Sequence, residues 1–173
     1  FPIGIVIDTK FAPDTPTIKN GCPDWCRNAC IASCPTKALT GNGRIEPERC
    51  ISYLSYHGRG TTPAELREPM GLYIYGCDRC QNVCPRNSVW LTSERCGSAK
   101  LEEMAKNFAP EEILLMDQEF FENKIRPFMF YMQYKNVWRW KMNAARAMGN
   151  SGDRKYVPYL IKGYNEIDDE RVR

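Results

Sequence analysis

Eight of the nine cysteines fall into two linked runs: Cys22, Cys26, Cys30 and Cys34 ahead of Pro35, then Cys50, Cys77, Cys80 and Cys84 ahead of Pro85. Thiolates at such short spacings are metal ligands, and a last cysteine standing before proline marks a chain that folds round two iron–sulfur clusters. In the bacterial two-cluster pattern three sulfurs of one run hold one cluster and the fourth crosses to the other. Proline disfavours a helical conformation for the residue before it, which helps Cys34 and Cys84 leave their loops. The pattern therefore places Cys22, Cys26, Cys30 and Cys84 on a first [4Fe-4S] cluster and Cys34, Cys50, Cys77 and Cys80 on a second. Cys96 is left over and reads as a spare thiol.

The first run departs from the usual pattern, with three residues between each pair of cysteines where two, two and three are customary. Two extra residues must bulge somewhere, and a three-iron form of the first cluster stays open. Zinc is the competing metal, although its sites pair short Cys-x2-Cys hooks without a Cys-Pro crossover. An odd cysteine count and regular short spacings favour metal in a reducing compartment over disulfides.

The totals bound the class. With 173 residues, 43% hydrophobic and 26% charged, the chain reads as a soluble globular protein of one ordinary or two small domains. No run approaches the roughly 18 apolar residues of a membrane span, and the start FPIGIVIDTK lacks a secretory signal. The expectation is a cytoplasmic protein without membrane contact. Because the first residue is Phe1 and not Met, the polypeptide is expected to be part of something longer. The formal charge of +3 falls to about −1 once each of two clusters contributes about −2, so the basic pI by itself says nothing of nucleic acid.

The elements that must position these thiols change character along the chain. To about Arg86 the sequence is rich in Cys, Pro and Gly; from Ala99 it has helix-forming stretches such as LEEMAKNF and EEILLMDQEFFENKI, with a compositional boundary between residues 87 and 98. A first half with so little aliphatic content should depend on metal to fold and be largely unfolded without it. Trp140, Ala144, Ala147 and Met148 recur at helical spacing, Gly149 to Gly152 end that helix, and Asp153 caps a second whose apolar stripe is Val157, Leu160, Ile161 and Tyr164. Helix, turn, helix and acidic turn make the rhythm of a helical repeat, and one repeat cannot cover its own apolar face. Further C-terminal repeats are expected. Tyr134, Lys135, Trp138, Arg139, Trp140, Lys141 and Arg146 interleave aromatic and basic residues as RNA contacts would, or as the two faces of an ordinary helix would.

RCISYLSYHGRG over 49–60 and TPAELREPMGLYIYGCDRCQNVCPRN over 62–87 resemble the iron–sulfur domain of epoxyqueuosine reductase, which completes the tRNA nucleoside queuosine. NAARAMGNSGD and YLIKGYNEIDDERVR resemble the repeats that follow it in that family. The resemblance implies an α+β fold: a bacterial-type two-[4Fe-4S] ferredoxin-like domain over 1–92, then an all-α HEAT-like region over 93–173. It implies that an N-terminal domain lacking here binds cobalamin and carries the catalytic acid, so that this chain relays single electrons and holds no catalytic residue. The implied partners are a cobalamin-binding domain or subunit, a cytosolic donor of flavodoxin or ferredoxin type, and tRNA. His57 and Asp78 match positions that face the corrin, and Gly58, Arg59 and Gly60 lie where tRNA would pass. Read without that family, His57 is a solvated side chain in a Gly-rich loop. The alternative function is a non-catalytic iron–sulfur sensing or structural protein whose repeats dock a protein or RNA partner. A reductive dehalogenase fragment shares clusters and corrin but not the helical tail.

Overall fold

A computed structural model of the chain describes residues 4–17, 21–93 and 97–173, so Cys96 lies outside the described residues. Among these the chain is mostly helical, with one two-stranded antiparallel sheet. The cysteine-rich half is built from short pieces. A 3-10 turn over Asp24–Cys26 leads to α1, Ala29–Ser33, and between them Arg27 and Asn28 both take left-handed backbone, at φ 49° and 57°. The extra residues of the first run are thus absorbed by a reversal between Cys26 and Cys30 and not by a continuous helix. β1, Leu39–Gly41, and β2, Arg44–Ile45, form a hairpin closed by Asn42 and Gly43, both at positive φ.

Cys34 and Cys84 sit in extended backbone, with ψ of 110° and 121°, the conformation that Pro35 and Pro85 favour in the residue before them. From Cys50 the chain enters α2, Ile51–Tyr56, then α3, Ala64–Arg67, α4, Arg79–Asn82, and α5, Ser88–Thr92. The core of this half is small: Ile51, Leu54, Leu66 and Met70, with Tyr73 and Cys77 packed against them.

The second half holds the larger core. It comprises α6, Ala99–Ala105, α7, Pro110–Leu115, α8, Gln118–Phe120, which continues through a π turn over Phe121–Ile125, then α9, Val137–Ser151, and α10, Val157–Glu166. The stretch EEILLMDQEFFENKI is broken at Met116, whose backbone is extended, and Asp117 starts a new helix by accepting the Phe120 N–H at 2.7 Å. Trp140, Ala144 and Met148 of α9 are buried with Ile113 and Leu114 of α7. Gly152, at φ 65°, ends α9, and Asp153 caps the following turn by accepting the Lys155 N–H at 3.0 Å. On α10, Val157, Ile161 and Tyr164 stay exposed, while Gly163 lies so close to Leu114 that an added Cβ would come within 3.0 Å of its Cδ2.

A second face of α9 faces the cysteine-rich half. Arg139, Asn143, Arg146 and Asn150 recur at helical spacing and donate to main-chain carbonyls of Leu54, Ser55, Gly58, Gly60, Arg67, Gly71, Tyr73 and Ile74. These carbonyls all belong to the connection between Cys50 and Cys77, which has little regular structure to satisfy them itself. The interleaved aromatic and basic residues of this region therefore do not share one surface: Trp138, Arg139 and Trp140 are buried, whereas Tyr134 and Lys135 are exposed. Among the described residues no helix is long and apolar enough to cross a membrane.

Candidate iron–sulfur site

Four of the cysteines meet around one hollow. Cys34, from the turn after α1, Cys50, ahead of α2, Cys77, from the loop before α4, and Cys80, within α4, line it together. Ala38, Leu39, Ile45 and Ile51 supply apolar walls, and Arg79 stands at the same hollow. Residues 43 positions apart in sequence, Cys34 and Cys77, thus line one hollow, together with Leu39 and Ile45 of the hairpin and Ile51 at the start of α2.

The surroundings of two of these sulfurs act on them in opposite directions. The Ala38 N–H donates to Cys34 Sγ at 3.3 Å, and the hydroxyl of Thr36, itself buried, lies 3.6 Å from the same sulfur. Burial works against ionisation of Cys34, but the Thr36 hydroxyl and the backbone N–H groups of Ala38, Leu39 and Thr36 outweigh it and hold the thiol below its ordinary value. Cys80 is pushed up, first by burial and then by the proximity of Cys77 and Cys50, with Gln81 opposing. A polynuclear cation bound in this hollow would favour the thiolate form of the cysteines that line it. The donor chemistry and the apolar walls fit a four-iron cluster. Among the described residues no three thiol, imidazole or carboxylate groups are gathered as one metal ion would need.

The Cys77 loop is tied down from behind. Ser52 donates its hydroxyl to the Cys77 carbonyl at 3.3 Å, and the Ser55 hydroxyl accepts the Gly76 N–H at 2.9 Å. The other four lie outside this hollow: Cys22 is exposed in a loop, Cys26 ends the 3-10 turn, Cys30 rides on α1, and Cys84 follows α4. Packing of α1 on α4 brings the Cys30 helix beside the segment that leads to Cys84.

Beside Cys77 opens a second hollow of about 430 Å³, lined by Ser52, Tyr56, Tyr73, Tyr75, Asp78, Asn82, Met129 and Tyr131. Asp78 is exposed on its wall; His57 is exposed outside it, edge-on to Tyr56 at 4.8 Å. Tyr56 packs on Tyr75 at 5.0 Å and on Tyr131 at 6.0 Å, and Tyr75 stacks on Trp140 at 5.0 Å and 6°. Burial, then the neighbouring Tyr56 and Tyr131, push the Tyr75 phenol up to about 12. These tyrosines, with Ser52, Ser55 and Asn143, are site residues that cysteine spacing does not reveal. The signals available for them are faint: two tyrosines alternating ahead of Gly76-Cys77, and one asparagine on an otherwise apolar helix turn.

Residues 22–87 match the family described as a 4Fe-4S double cluster binding domain. The epoxyqueuosine reductase of Francisella cf. novicida is 34% identical over 160 residues, covering 87% of this chain and 41% of the relative. An uncharacterized protein in the gldA 3' region of Geobacillus stearothermophilus is 31% identical over 182 residues, covering 98% of this chain and 75% of that one. Among solved structures, a selenomethionine-labelled epoxyqueuosine reductase superposes with a TM-score of 0.71 at 26% identity, covering 94% of this chain and 42% of that chain. An epoxyqueuosine reductase solved with a tRNA-Tyr epoxyqueuosine-modified stem loop superposes at 0.59 and 25% identity, covering 94% and 50%. The chain spans less than half the length of the epoxyqueuosine reductases to which its sequence is matched here.

Proposed function

Because the chain belongs to the epoxyqueuosine reductase-like iron–sulfur proteins, we propose that it is the electron-transfer portion of such an oxidoreductase, serving a cobalamin held by another domain or subunit. In this reading residues 1–92 are the ferredoxin-like unit and 93–173 the HEAT-like one. Cys34, Cys50, Cys77 and Cys80 hold one cluster; Cys22, Cys26, Cys30 and Cys84 hold the other. The observation that carries the reading is the convergence of the first of these sets, from three separate segments, on a single apolar-walled hollow. Bound there, [4Fe-4S] clusters supply one-electron transfer at a potential set by ligation, hydrogen bonds to sulfur and solvent access.

The chain's own residues do the rest. Ala38 N–H and the Thr36 hydroxyl offset the charge on Cys34 Sγ, Ala38, Leu39, Ile45 and Ile51 keep water away, and Ser52 and Ser55 fix the Cys77 loop. The tyrosine-lined hollow beside Cys77 is the face for the corrin, with Asp78 on its wall and His57 at its margin. A small flavodoxin- or ferredoxin-type protein donates the electrons, tRNA is the final substrate as the stem-loop complex of a relative suggests, and the reducing cytoplasm keeps the thiols available.

Anaerobic purification followed by iron and sulfide counting and paramagnetic resonance of the reduced protein tests this. About eight irons and two interacting signals are expected; stoichiometric zinc in their place would overturn the reading. Cys84→Ala is expected to remove the cluster held by Cys22, Cys26 and Cys30 and leave about four irons. Loss of the other signal instead would refute the crossed assignment.

A further inference from the structure

Asn143 lies on α9, in the helical half, and is completely buried. Its Nδ2 donates twice, to the Ser55 carbonyl at 2.8 Å and to the Ile74 carbonyl at 2.9 Å. Ser55, equally buried, donates its hydroxyl to the Ser52 carbonyl at 2.9 Å and accepts the Gly76 N–H at 2.9 Å. Gly76, at φ 69°, turns the chain immediately ahead of Cys77, whose carbonyl is held by Ser52. Hydrogen bonds therefore run without a gap from α9 through α2, which follows directly on Cys50, to the loop that ends in Cys77. Two of the four sulfurs in the hollow have their separation set by a residue that touches neither of them.

We infer that Asn143 is a positioning residue for the second cluster, so that the helical half governs whether that cluster assembles and at what potential; this rests on the ligand reading given above. Side-chain chemistry supports the assignment. Only an amide offers two N–H donors from one planar group at this length: leucine offers none, and an ionised aspartate would set an acceptor against two carbonyls. The Asn143 Oδ1 is buried without a partner, so the residue suits the site through its N–H groups at the expense of its oxygen. Asn150 offers an internal comparison. It belongs to the same donor stripe but bonds the Arg67 and Gly71 carbonyls, away from Cys77, and is exposed.

The test uses the whole chain purified without oxygen, as wild type, Asn143→Leu, Ser55→Ala and Asn150→Ala. Iron content, the resonance signal of each cluster, midpoint potentials and the rate of iron loss to a chelator are measured. In Asn143→Leu and Ser55→Ala the second cluster is expected to lose iron about 10–100-fold faster, as when an outer partner of a metal ligand is removed, and to shift in potential. The cluster assigned to Cys22, Cys26, Cys30 and Cys84 should be unchanged, and Asn150→Ala should match wild type. Equal loss of both clusters, an Asn150→Ala protein behaving like Asn143→Leu, or Ser55→Ala indistinguishable from wild type overturns the inference. Ser55→Ala removes a single hydroxyl and decides the matter if Asn143→Leu fails to fold. A wild type without iron overturns the functional reading itself, whereas a fully loaded wild type with unaffected variants overturns this inference alone.

Discussion

At the scale of single residues the site is governed by donors aimed at sulfur and carbonyl oxygen. Thr36 shows the first kind. Its side chain is 1% exposed, its hydroxyl lies 3.6 Å from Cys34 Sγ, and its own carbonyl accepts from Arg49 Nε at 2.8 Å, so the hydroxyl has little freedom to leave. A reduced cluster is more negative than an oxidised one, and a hydrogen bond to its sulfur favours reduction. Thr36→Val keeps the shape and should lower the midpoint potential of the second cluster without loss of iron, as read by resonance-monitored redox titration. An unchanged potential would mean that the hydroxyl does not donate to that sulfur. Arg139 shows the second kind: buried, drawn below its usual value by desolvation and then by Arg171, it serves the carbonyls of Leu54, Gly58 and Gly60. Its chemistry is structural although its residue type suggested a nucleic-acid contact.

At the scale of elements α9 organises the molecule, because both of its working faces are inward. Trp140 anchors the apolar face: it is 1% exposed, stacked on Tyr75 and near Phe108, and its Nε1 has no partner. Trp140→Ala should cost about 3–5 kcal/mol in chemical unfolding through the cavity it leaves. Trp140→Phe keeps a ring and removes an unpaired donor, so it should cost clearly less. Equal losses would show that the indole nitrogen has a role that its surroundings do not explain. The break at Met116 and Asp117 belongs to this scale as well. Helix formers run straight through it, yet Asp117 captures the Phe120 N–H and starts a new segment, since short polar side chains compete with the helix for backbone groups.

At the scale of the whole molecule two cores of unequal size depend on metal differently. Four buried aliphatic side chains hold the cysteine-rich half, whereas Ile113, Leu114, Met116, Phe121, Ile125, Met132, Trp140, Ala144 and Met148 form the other core. Removing iron should therefore raise hydrogen exchange across residues 21–92 first, with α7 and the apolar face of α9 still protected. Uniform loss of protection along the chain would contradict this. The extended backbone at Cys34 and Cys84 and the Asp153 cap were legible in the residues themselves, because each follows from neighbours within a few positions; the end of α9 was legible only roughly, since Gly149, Asn150 and Ser151 stay helical and only Gly152, at positive φ, stops it. That the first run must bulge was legible too, but not where: the left-handed backbone of Arg27 and Asn28 takes it up. The tyrosine hollow, the Ser52–Ser55–Asn143 connection and the inward face of Arg139 and Arg146 were decided only by tertiary structure. Those features join residues dozens of positions apart, and whether an arginine meets water, phosphate or a main-chain carbonyl is fixed by what packs against its helix, which local pattern does not encode.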